Sequence, residues 1–324
     1  MSISAVMKKP ILAGTVVIVA IIIGASAIVA QDNDVNEGIE SLDDDSEKVV
    51  IATTTNVIAD LVENIGGDNV SVTGLMGPGV DPHLYRPSAG DVKKLQDAEI
   101  VFYNGLDLEG KMGDILVKIG GEGTAVWAVS ENIPQESLLS LDGQGHFDPH
   151  IWWDAELWME AAKVVATGLK EHDPENSEKY DKNLSEYLAK LKALDSINLV
   201  KIDSIPKEQR VLVTAHDAFQ YFGDAYGFEE LAIQGWSTDS EAGIREIQNL
   251  ADQISKRKIK ALFAETSVSP ATIEALKEAV QDKGHDVVIG GELFSDALGE
   301  KGTDEGTYLG AFTHNIDTIV QALK

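Results

Sequence analysis

No cysteine occurs among the 324 residues. Its absence excludes a disulfide framework, a thiolate metal ligand and a lipid-modified cysteine near the N-terminus. Basic residues are scarce as well: 26 lysines and arginines stand against 54 acids, for a formal charge of −28. A leader whose only charges are Lys8 and Lys9 would, once removed, take that to −30. No nucleic-acid partner is expected, because phosphate binding needs a basic surface. The acidic surface keeps the chain soluble and raises the local concentration of cations. The length exceeds one ordinary core, and a hydrophobic content of 44% suffices to fill two domains.

Long apolar runs are limited to Ile11–Ala30, which is uncharged and reaches the roughly 20 residues that a membrane-spanning helix needs. Ala25-Ser26-Ala27 also offers an export-signal cleavage site. The length favours an anchor with its lysines inside the cell, and both readings export the rest of the chain. Residues 1–30 are thus a signal or membrane-anchor segment. Residues 31–48, acidic and poor in large apolar side chains, form a solvated tether around Asp43-Asp44-Asp45.

Order begins near Val49. Apolar runs typical of buried parallel strands, at 49–52, 70–75, 100–103 and 125–129, alternate with amphipathic stretches and define four βα units. Asp173-Pro174-Glu175 opens a long helix, with an aspartate to cap it and a proline suited to the first turn. Its stripe of Tyr180, Leu184, Leu188, Leu191 and Leu194, with Tyr187 beside it, faces a core. Extending to about Asn198, it spans on the order of 36 Å. The alternation then resumes with strands at 211–215, 231–234, 261–264 and 287–289. This gives an N-terminal α/β lobe over 49–172, a linking helix over 173–198 and a C-terminal α/β lobe over 199–324.

His83, His150, His216 and Asp296 lie 67, 66 and 80 residues apart. Each follows a candidate strand and precedes a candidate helix. Loops at the carboxyl ends of strands in open α/β sheets converge in space, and three imidazoles with one carboxylate complete a tetrahedral shell for a borderline divalent cation. Asp81-Pro82-His83 and Asp148-Pro149-His150 repeat one unit, and Pro82 and Pro87 stiffen the loop that carries His83. Glu265, at a strand end, is placed to orient an imidazole. Trp152 and Trp153 read as packing residues, and the bland alternative for the His216 segment is a turn in which Asp217 caps the helix. Thr238-x-x-Glu241 reads as a capping box. His146 reads as an exposed loop residue, and His172, His285 and His314 as surface residues.

The segments Asp81-Pro82-His83-Leu84-Tyr85, Asp148-Pro149-His150-Ile151-Trp152, Thr214–Phe222 and Phe294-Ser295-Asp296 resemble the four metal-ligand motifs of the zinc and manganese substrate-binding proteins of ABC transporters. The resemblance runs in order over about 49–324. It implies an α/β fold of two lobes, each a four-stranded parallel sheet with flanking helices, bridged by one long rigid helix. It also implies that His83, His150, His216 and Asp296 are the ligands, two from each lobe. Manganese-selective relatives commonly carry glutamate at the position of His216, so Zn2+ is expected, with Mn2+ or iron as the alternative. Two departures stand out: only His146 occupies the place of a histidine-rich loop, and the lipid-modified cysteine is missing. The expected partners are a permease and its ATPase. The expected setting is the outer face of the cell membrane, reached by a monomeric protein that is not an enzyme. The rival readings are a surface adhesin with a structural metal and a metallohydrolase using Asp296 or Glu265 as general base.

Overall fold

The computed structural model describes residues 48–324 except 142, 144, 241 and 242. The expected leader, nearly all of the tether, and the role assigned to Glu241 lie outside the described residues. Among the described residues no helix is long and apolar enough to cross a membrane.

The first half is built on four parallel strands, β1 (Val49–Thr53), β2 (Val70–Gly74), β3 (Ile100–Tyr103) and β4 (Ala125–Ala128), in the order β2-β1-β3-β4. Val49 pairs with Val70, Ile51 with Ile100, and Ile100 with Ala125. The central strands are apolar on both faces because both faces are covered: Ile51, Ala52, Ile100, Val101 and Phe102 are buried. Helix α1 (Asn56–Gly66) is capped by the Thr55 hydroxyl, which accepts from the Ile58 amide. Helix α2 (Ala89–Asp97) starts with a reciprocal capping box between Ser88 and Asp91. Helix α3 (Gly113–Gly121) follows β3. Val57, Ile58, Leu61, Val62 and Ile65 of α1 are all buried, each such side chain contributing about 1.5–3 kcal/mol on removal from water.

Helix α4 (Ala155–His172) leads into α5 (Ser177–Ile202), the long helix. Two details differ from expectation. Pro174–Asn176 form a separate 3-10 turn, with the Asp173 carboxylate accepting from Tyr180 Oη and Asn176 Nδ2 rather than capping the helix. The helix also runs four residues past Asn198, because the buried stripe of Tyr180, Tyr187, Leu191 and Leu194 continues through Asn198 to Ile202.

The second half carries β5 (Val211–Thr214), β6 (Glu229–Ala232), β7 (Ala261–Glu265) and β8 (Val288–Leu293) with helices α6 (Gln220–Tyr226), α7 (Ile244–Arg257), α8 (Pro270–Asp282) and α9 (Tyr308–Leu323). All pairing is parallel, but the ladders form two pairs, β5 with β6 and β7 with β8. Strands β5 and β7 lie side by side. At their carboxyl ends the Glu265 carboxylate takes the amides of Ala215 and His216, at 2.7 and 2.9 Å, in place of backbone carbonyls. Helix α9 packs so closely on β8 that a Cβ on Gly290 would stand 2.6 Å from Ala322 Cβ.

One apolar cluster runs through both halves. Trp153 stacks on Phe219 at 5.6 Å, and Trp158 stacks on Tyr308 at 5.5 Å. The halves therefore share a core, to which α4, α6 and α9 all contribute.

Candidate metal centre

His83 stands on the loop between β2 and α2, and His150 ends the long loop after β4. His216 follows β5 by two residues, and Asp296 follows β8 by three. These four side chains meet: one donor atom from each falls within 4.8 Å of all the others. His83 Nε2 is 3.3 Å from His150 Nε2. His150 Nε2 is 3.5 Å from Asp296 Oδ1, and His216 Nε2 is 3.3 Å from Asp296 Oδ2. His83 is 3% exposed, whereas His150, His216 and Asp296 are fully buried.

Local chemistry explains why the imidazoles point as they do. Asp148 Oδ1 accepts from the His150 amide at 2.9 Å and lies 2.6 Å from its Nδ1, which directs Nε2 inward. Glu265 Oε2 lies 2.5 Å from His216 Nδ1, on the ring edge turned away from the other three candidate ligands. Asp81 Oδ1 accepts from the amides of His83 and Leu84, turning the stiff loop back on itself. Asp296 receives the Ser267 hydroxyl on Oδ2 at 3.2 Å. Its neighbour Ser295 is held by its carbonyl, which accepts from both indoles, Trp152 at 2.8 Å and Trp153 at 2.9 Å.

The electrostatics suit a cation. Burial, reinforced by the neighbouring imidazoles against the pull of Asp296, pushes His83 down to about 3, so its ring is neutral. Burial opposes charge on His216, but the Glu265 and Asp296 carboxylates outweigh it and hold its pKa well above the ordinary value. Burial likewise opposes charge on Asp296, and the surrounding imidazoles, His216 foremost, keep it ionised below the usual carboxylate range. Asp296 Oδ1 and His216 Nε2 are buried with no hydrogen-bond partner among the described residues. Orphaned polar atoms of this kind are costly unless something else binds them. A borderline divalent ion accepts such a set of three imidazole nitrogens and one carboxylate.

The other sequence candidates fall elsewhere. His146 and His172 are exposed. His285 bonds the Ile259 carbonyl, and His314 packs on Phe294. Asp217 accepts from Gln220 Nε2, while Phe219 occupies the cap position of α6 without a side-chain bond, so Asp217 does not cap that helix. Thr238 donates its hydroxyl to Asp81 Oδ2 at 2.6 Å, and the cap position of α7 falls to Gly243. Trp152 and Trp153 do pack, as expected, but they also act as donors across the halves. Tyr308 Oη donates to the Trp152 carbonyl at 2.6 Å, and Tyr221 Oη to the Asp148 carbonyl at 2.9 Å. Of the supports, Asp81 and Asp148 carried a signal in the repeated Asp-Pro-His unit and Glu265 in its place at a strand end, whereas Ser267, Ser295, Tyr221 and Tyr308 carried none.

Residues 51–322 match the family described as ZnuA, zinc-uptake complex component A, periplasmic. The chain is 50% identical over 278 residues to the manganese-binding lipoprotein MntA of Bacillus subtilis (strain 168), covering 86% of this chain and 90% of that protein. It is also 50% identical over 276 residues to the zinc-binding protein TroA of Treponema pallidum (strain Nichols), covering 85% and 89%. The manganese ABC transporter substrate-binding lipoprotein PsaA of Streptococcus mitis is 34% identical over 284 residues, covering 86% and 90%. Among solved structures, the periplasmic zinc-binding protein TroA of Treponema pallidum superposes with a TM-score of 0.84 over 86% of this chain and 99% of that one. The chain belongs to this family of periplasmic metal-binding proteins of ABC transporters, whose members named here are binding components rather than enzymes.

Proposed function

We propose that this protein captures one divalent cation, zinc before manganese, outside the cytoplasmic membrane and delivers it to the permease of an ATP-driven importer. The observation that carries this reading is the convergence of four buried donor atoms, from His83, His150, His216 and Asp296, within 4.8 Å. In a dehydrated site the ionised Asp296 offsets part of the ion's charge. The Asp148 and Glu265 carboxylates behind two of the rings raise the basicity of those ligands. Four protein ligands close a tetrahedral shell, which suits holding an ion rather than activating a water on it.

Relatives of equal identity are named for manganese and for zinc, so overall similarity leaves the choice to the donor set. Three imidazoles favour the softer zinc, whereas manganese favours oxygen-rich sets. Several relatives are named lipoproteins, but this chain has no cysteine to carry a lipid. Its uncharged segment 11–30 is the anchor we assign in its place. We keep the division into lobes at 49–172 and 199–324 about a linking helix, and a monomer as the working unit.

The test is a competition titration of the purified, metal-free protein with zinc and manganese. One tight zinc per chain that manganese does not displace supports the reading. Displacement of zinc by stoichiometric manganese overturns the choice of metal, and no tight site for either ion overturns the site.

A further inference from the structure

The four ligands are not held alike. The His150 segment is tied to the second half by fully buried bonds: the Trp152 and Trp153 indoles on the Ser295 carbonyl, Tyr308 Oη on the Trp152 carbonyl, and Tyr221 Oη on the Asp148 carbonyl. Since Trp152 is two residues from His150 and Ser295 adjoins Asp296, these bonds fix the two ligands against each other across the halves. The His83 loop is tied to the second half by much less. Thr238 Oγ1 donates to Asp81 Oδ2 at 2.6 Å, and nearby Lys111 pairs with Asp239 at 3.0 Å in an exposed ion pair. Exposed pairs of this kind contribute little.

Solvent approaches from the same side. A cavity of about 500 Å³ is lined by Asp81, Leu84, Thr238, Ile247, Ser267 and Ser269. It abuts the centre through Ser267, whose hydroxyl also reaches Asp296. His83 is the one ligand with measurable exposure, and Trp236, two residues from Thr238, covers its ring at a centroid distance of 6.2 Å.

We propose that His83 is the last ligand to bind the metal and the first to leave it, and that the Thr238–Asp81 contact is the latch setting how fast this happens. This rests on the metal-binding reading above. One carboxylate serves both functions, since Asp81 Oδ1 holds the His83 turn while Oδ2 takes the latch hydroxyl. Releasing Thr238 lets the turn swing into the cavity and leaves His150, His216 and Asp296 as a three-ligand cup. Thr238 is thus a positioning residue that governs residence time without touching the metal.

The experiment follows zinc release from the loaded protein into excess chelator by stopped flow, for wild type, Thr238→Val and Thr238→Ser. The latch predicts release about tenfold faster in Thr238→Val, from the loss of a hydrogen bond to a carboxylate. It predicts a release rate and a metal-free melting temperature near wild type in Thr238→Ser. A wild-type rate in Thr238→Val overturns it. Hydrogen exchange on metal-free wild type supplies a second readout. The amides of His83 and Leu84 exchange faster than those of His150 and Ile151 if the proposal holds, and equal or reversed rates overturn it. A wild type that retains no zinc refutes the underlying metal reading, whereas the exchange measurement, made without metal, tests the loosely held His83 loop on its own.

Discussion

His150 and His216 each set Nδ1 against a buried carboxylate oxygen, at 2.6 Å from Asp148 and 2.5 Å from Glu265, whereas His83 has no such contact among the described residues. The same division runs through the packing. His150, His216 and Asp296 sit on a floor locked to the shared aromatic core, and His83 sits on a wall joined to the opposite half at its edge. A site meant to bind and then surrender an ion needs both kinds of support. A preorganised floor supplies affinity because little ordering remains to be done on binding. A wall with few buried contacts opens at low free energy.

Changing the floor and the wall separately should expose this difference. The largest effect belongs to His216→Ala, which removes a ligand and leaves the Glu265 carboxylate buried without its imidazole. Zinc affinity should fall by more than about a hundredfold, beyond the range for groups that only support a ligand, and the metal-free protein should melt lower. His83→Ala should also weaken zinc but leave the melting temperature of the metal-free protein unchanged. Equal melting losses in the two variants would erase the distinction between floor and wall.

Next come Asp148→Asn and Glu265→Gln, each expected to lower zinc affinity by about 10–100-fold in calorimetric competition. Wild-type affinity in both would show that the carboxylates do not support the rings. The indoles come third. Trp152→Phe or Trp153→Phe alone leaves the Ser295 carbonyl one donor and should cost about 1 kcal/mol in denaturant unfolding. The double variant leaves it none and should exceed the sum of the two. Simple additivity would mean that the shared acceptor does not couple them.

The smallest effect concerns Asp60, whose Oδ2 accepts the Tyr308 amide across the halves. Burial pushes its carboxyl up to about 6. A carboxyl with a raised folded-state pKa binds its proton more tightly in the folded protein. Its contribution is complete below about pH 4 and is lost as pH rises through about 6. Asp60→Asn should therefore stabilise the protein at pH 7.5 and give no gain at pH 4. Unfolding curves at the two pH values check the sign.

Much of this architecture is legible in the sequence because parallel strands buried on both faces read as continuous apolar runs. The four strands of the first half fall within a residue or so of their expected bounds. Strand β6 begins two residues earlier than expected, because Glu229 and Glu230 look like loop acids. Glu230 instead lies partly buried and accepts from the Phe219 amide. The four candidate ligands were readable from the Asp-Pro-His units and from their positions after strands. Apart from Asp81, Asp148 and Glu265, what holds them was not. Trp152 meets Ser295 across 143 residues and Asp81 meets Thr238 across 157, and neither pair leaves a local pattern in hydropathy or spacing. The division of the second half into two ladders, β5 with β6 and β7 with β8, was equally hidden.

The central claim is that His83, His150, His216 and Asp296 share one ion, and anomalous diffraction from crystals of the zinc-loaded protein tests it most directly. The account predicts a single strong peak at the zinc edge, about 2.0–2.2 Å from three imidazole nitrogens and one carboxylate oxygen of these residues. A peak elsewhere, or one at this centre lacking any of the four, would contradict it.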